Sequence, residues 1–108
     1  MQDNMTIRLM FEPEPGVKCN VDKMFQYYAE NYLSDFPEFK WGGYIMLNTL
    51  EHKYTKTISG EPFYQFIAVN VSQHLLDKIC HYVKINPMEG YHTHIHFGVK
   101  GENEKAVA

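Results

Sequence analysis

From Tyr91 to Lys100 the sequence alternates: Ile95, Phe97 and Val99 fall on one side of an extended backbone, and His92, His94 and His96 on the other. Strand side chains repeat with a period of two, so this segment predicts a strand with an apolar inner face and an imidazole outer face. A helix would carry His94 away from His92 and His96, and the two-sidedness would be lost. A strand that is apolar on one side needs a covering layer.

The rest of the chain supplies one. Ile7, Leu9 and Phe11 alternate with Thr6, Arg8 and Met10, which predicts a first strand ended by Glu12-Pro13-Glu14-Pro15-Gly16. Asn20 is placed to cap a helix starting at Val21, with Met24, Phe25, Tyr28, Ala29, Tyr32 and Leu33 at helical spacing. That helix stops before Pro37, and Phe36 and Phe39 pin the connection to the core. After Trp41-Gly42-Gly43, residues Tyr44 to Leu47 predict a strand, and Asn48 to Ile58 a further strand or an irregular excursion. Ser59-Gly60-Glu61-Pro62 predicts a turn into Phe63–Val71, the longest β-prone run. Ser72 is placed to cap a helix from Gln73 to about Lys84, with Leu75, Leu76, Ile79, Cys80 and Val83 as its apolar stripe. Residues 101–108 read as a flexible polar tail.

At 108 residues, with 44% hydrophobic and 21% charged side chains, the chain suits one folded domain, residues 1–108. The order strand, helix, strand, strand or hairpin, helix, strand resembles the ferredoxin-like split arrangement. The expected fold is therefore α+β, an antiparallel sheet of four to five strands with two helices on one face. Cys19 and Cys80 lack the spacing and density of a disulfide scaffold or a C-x-x-C motif, which suggests a reducing compartment. No run reaches 18 apolar residues and Met1-Gln2-Asp3-Asn4 is not signal-like, so a cytoplasmic protein without a membrane partner is expected.

Three imidazoles on one strand face, His92, His94 and His96, are candidate ligands for a divalent metal. The outer two are separated by roughly 13 Å of strand rise, so two of them plus a donor from elsewhere is the realistic set. His52, His81, Glu51 and Asp77 are the candidates to complete it. The segment His94-Ile95-His96-Phe97-Gly98-Val99 resembles the paired-histidine motif of the HUH nickase and replication-initiator superfamily. That resemblance implies a divalent ion on the histidines, a ferredoxin-like core and a helix tyrosine as nucleophile, with Tyr27, Tyr28 or Tyr82 as the counterpart. Cys80 and His81 point in different directions on a helix and make no dyad.

If Ile7, Leu9 and Phe11, Ile45 and Leu47, Phe63, Ile67 and Val69, and Ile95, Phe97 and Val99 face the helices, the other face carries Arg8, Met10, Tyr44, Met46, Tyr64 and Phe66 beside the histidines. That composition is the composition of a protein contact, and Trp41 suits its rim. The function expected from it is a small non-enzymatic binding or regulatory module, acting on a partner protein or as a homodimer. An inhibitor or accessory protein of a virus or mobile element would have this compact acidic character. Two alternatives remain: a divalent-metal-dependent, HUH-like nucleic-acid-processing enzyme, and a single-stranded nucleic-acid-binding module stacking bases on Tyr64 and Phe66. Nucleic acid is not favoured, because 10 Lys and Arg stand against 13 Asp and Glu and no basic run is present. No cofactor other than the metal is expected.

Overall fold

The structure, a computed structural model, describes residues 4–18, 20–45, 63–99, 102 and 104–107. Along the chain these form β1 (Met5–Pro13), α1 (Val21–Asn31), β2 (Lys40–Ile45), β3 (Phe63–Val71), α2 (Gln73–Ile85), β4 (Tyr91–Val99) and β5 (Lys105–Ala106). The strands make one five-stranded antiparallel sheet in the order β2-β3-β1-β4-β5. The first four strands and two helices have the order and connectivity of the ferredoxin-like split arrangement, and β5 is an added edge. The predicted excursion at 48–58, the turn at 59–62, and Met46, His52, Glu51 and Cys19 lie outside the described residues.

Helix α1 begins where Asn20 places its side-chain oxygen, which accepts the Lys23 amide at 3.0 Å. Met24, Tyr28 and Tyr32, four residues apart, face the sheet and are buried. Leu33, expected on that face, is instead exposed. The helix has ended by then, with Tyr32 in the C-cap position. Ser72 occupies the N-cap position of α2, but its hydroxyl makes no capping bond. Leu75, Leu76 and Ile79 carry the burial of α2.

Two expectations about the strands are corrected. Strand β1 does not stop at Glu12 but pairs with β4 through Pro13↔Tyr91, since a proline closing a strand removes only one ladder donor. The segment read as a tail supplies β5, paired to β4 at His96↔Ala106 and Phe97↔Lys105.

The larger correction is the phase of β3. Tyr64, Phe66 and Ala68 turn toward the helices, and Phe66 stacks on Tyr28 with 3.9 Å between ring centroids. Phe63 turns the other way, where it packs with Met10. Both alternating sets of β3 are apolar, so period alone does not fix its phase; pairing with β1 does, through Leu9↔Phe66 and Phe11↔Tyr64. Near its end the phase breaks: Met5 pairs Val71 while Ile7 pairs Ala68, with Asn70 at φ 55°. Asparagine tolerates that left-handed conformation, and the bulge leaves Val69 exposed while Val71 packs on the core.

Phe66→Ala is therefore expected to lower the unfolding free energy by about 3–5 kcal/mol, as for a fully buried phenyl ring. Val69→Ala should stay within about 0.5 kcal/mol. Urea denaturation of the two variants checks the phase, since the opposite register predicts the reverse order.

Candidate functional site

The sheet face away from the helices is built from alternate residues of its central strands: Arg8, Met10 and Glu12 of β1, Phe63, Gln65 and Ile67 of β3, and His92, His94 and His96 of β4. The three histidines share that face, opposite Ile95 and Phe97, which pack with the helices. The sequence places this strand correctly. The face is not open at its centre, however, because Met10, Glu12, Phe63, Gln65 and His96 are all buried.

Its most polar feature is one that sequence reading passes over. Glu12 is fully buried, and its Oε1 lies 2.9 Å from His94 Nε2. A buried carboxylate needs hydrogen-bond donors, and the imidazole N–H supplies one. Phe63 stacks on the His94 ring at 4.7 Å, and His92 meets that ring edge-on at the same centroid distance. Burial is the largest influence on His94 and lowers its pKa below the usual 6.5, with the nearby His92 adding to it; the Glu12 bond works in the opposite direction. Glu12 was legible in principle, because it continues the Arg8–Met10 parity, but the prolines around it read as a stop.

A second polar chain crosses the sheet. Gly42 is the extra residue of a bulge between Trp41↔Phe66 and Gly43↔Gln65, and Gln65 Nε2 donates to the Gly42 carbonyl at 2.8 Å. The Gln65 Oε1 accepts from Arg8 Nη1 at 3.2 Å, and Arg8 Nε donates to Glu104 at 2.8 Å.

The proposed contact residues are divided between the two layers. Tyr64 and Phe66 are buried beneath the helices, and Met10 is buried on the other face; none of the three is available to a partner. Arg8 is engaged by Gln65 and Glu104. Trp41 and Tyr44 stay 42% and 58% exposed, at the β2 end of the sheet. Residues three apart on a regular strand face opposite ways; the bulge at Gly42 puts these two on one side, 5.8 Å apart, both against Tyr64. Phe25 of α1 backs Trp41 at 4.6 Å.

Of the metal candidates within the described residues, His92 and His94 lie together, with 4.7 Å between ring centroids. Among the described residues, no group of three or more His, Cys, Asp or Glu side chains is positioned to hold a metal ion. His81 and Asp77 are exposed on α2, which packs on the opposite side of the sheet. The tyrosines suggested as nucleophiles are in the helix layer too: Tyr27 donates to the Pro87 carbonyl, Tyr28 to Phe36 and Tyr82 to Asn31. Burial pushes the Tyr28 and Tyr82 hydroxyls up in pKa, which opposes formation of a phenolate. The half-buried Cys80 thiol is raised in the same way by burial and by Asp77, against the opposing pull of Lys84, and the net shift disfavours the thiolate. No helix among the described residues is long and apolar enough to cross a membrane.

In comparison with known proteins, no family model matches the chain, and no curated protein or solved structure does.

Because His94 is held neutral in the fold while its unfolded counterpart titrates near 6.5, the unfolded state takes up the proton first as pH falls. The His94 contribution is thus intact above pH 6.5 and is lost progressively below it, at no more than about 1.4 kcal/mol per pH unit. His94→Gln should flatten the stability profile between pH 6.5 and 5. Denaturant midpoints across that range measure it, and an unchanged slope would show that other groups set the acid sensitivity.

Proposed function

We propose that the protein is a small binding module whose contact surface is the aromatic rim formed by Trp41 and Tyr44, with a second copy of the chain as its partner. The observation that carries this reading is the pair itself. Two large aromatic side chains stand side by side against half-buried Phe25 and buried Tyr64 and Phe66, yet are left about half in water. Rigid aromatics bury large areas on association at little cost in side-chain entropy, and for that reason they dominate contact energetics. Among the described residues the rim lies on the terminal strand of the sheet.

Trp41 is the single tryptophan, so its fluorescence reports on this patch alone. Self-association should shift its emission to the blue as concentration rises, in step with a doubling of mass by light scattering. Tyr44→Arg should weaken the dimer about tenfold or more, equivalent to about 1.4 kcal/mol. A chain that stays monomeric, with emission unmoved up to millimolar concentration, overturns this reading.

A second reading, metal-dependent processing of nucleic acid, is favoured by one observation, the acidic Glu12 beside His94 on the strand that resembles the HUH motif. The described residues supply a carboxylate–imidazole pair and not a complete ligand set, and they bring no tyrosine to that face. Metal content of untagged protein tests it. Stoichiometric divalent metal that disappears in His94→Ala supports it, and metal-free protein after incubation with manganese or zinc overturns it.

A further inference from the structure

The Arg8–Glu104 contact joins two unequal halves. Arg8 sits on the central strand β1, and its guanidinium is aimed by Gln65, whose amide is itself anchored on the Gly42 carbonyl. This relay ends on backbone, so the cation is fixed in position. Glu104 precedes a strand that shares only two residue pairs with β4. Its position also depends on Gly98: a Cβ there would lie 3.1 Å from Glu104 Cγ and 3.3 Å from its Cα. A side chain at residue 98 would therefore crowd Glu104 and force it to give by a few tenths of an ångström.

We infer that Arg8 is an oxyanion-binding site which the chain's own Glu104 occupies, and that the segment Glu104–Val107 is a strap whose release opens the site to a phosphate group. A guanidinium held in one orientation has already lost the side-chain freedom that anion binding otherwise costs, and its planar donor fork suits phosphate and carboxylate oxygens alike. The occupant, by contrast, is easily exchanged. An ion pair with both side chains partly in water contributes little net stability, and β5 adds little ladder to hold it. His96, the register partner of Arg8 on β4, borders the same place.

The test uses the full chain and inorganic phosphate, followed by the Arg8 Nε–H resonance and by amide hydrogen exchange of Val107, which donates to Ile95. In the unmodified protein, phosphate should leave the Arg8 signal nearly still and the Val107 amide should be protected. Glu104→Gln removes the competing charge, and Gly98→Ala crowds Glu104 at the start of the strap without altering any charge. Both should speed Val107 exchange and bring a saturable Arg8 shift at phosphate concentrations at least tenfold lower. Arg8→Lys in the Glu104→Gln background should abolish that gain, read there as phosphate affinity by calorimetry. If neither variant gains phosphate binding over the unmodified chain, or if the Arg8→Lys substitution leaves the gain intact, the inference is wrong and the contact is an ordinary ion pair.

Discussion

The fold depends on β1 being sealed on both faces. It lies between β3 and β4, with Ile7, Leu9 and Phe11 in the helix layer and Met10 and Glu12 buried on the other side. A central strand buried on two sides tolerates no slip in register, because one residue of shift exchanges the two sets. Slipping β4 by one residue would set Ile95 against the Glu12 carboxylate and drive His94 among the phenyl rings. The Glu12–His94 bond is thus best understood first as a register lock: a buried carboxylate matched to an imidazole donor penalises every neighbouring alignment more than it rewards the native one.

The helix layer uses tyrosine in a comparable way. Rings from α1 stack on Phe66 and on each other, while the hydroxyls reach backbone carbonyls at the far ends of the layer: Tyr27 to Pro87, Tyr32 to Asn86 and Tyr82 to Asn31. Each ring buries apolar area, and each hydroxyl satisfies an otherwise stranded carbonyl near a helix end. These bonds tie the end of α1 to the end of α2. They also explain why a tyrosine-rich helix need not signal catalysis, since here the phenols are structural fasteners.

What the sequence reveals follows from how one-sided each segment is. Strand β4 carries its polarity on one face, so its orientation can be read directly, and α2 is legible for the same reason in its Leu75, Leu76 and Ile79 stripe. Strand β3 is apolar on both sides, and nothing local distinguishes Phe63 from Tyr64; only the pairing with β1 decides. That pairing places Tyr64 and Phe66 in the core and not on the expected contact surface. Glu12 was hidden for a different reason, because Pro13 and Pro15 read as an ending although the ladder to β4 continues to Pro13. Strand β5 was illegible because its two residues have no pattern of their own and are placed by the neighbour they pair with.

The bulge at Gly42 touches both the aromatic rim and the Arg8 site. On the helix side, the extra residue brings Trp41 and Tyr44 onto one face, which alternation alone would forbid. On the other side it frees a carbonyl from the ladder, and that carbonyl anchors Gln65 and through it the Arg8 guanidinium. A Cβ at this position would fall 2.6 Å from Ile67 Cδ1. Any side chain there must push Ile67 aside, and Ile67 lies next to Gln65 on the same face. The two surfaces thus share one backbone feature, although no side chain belongs to both.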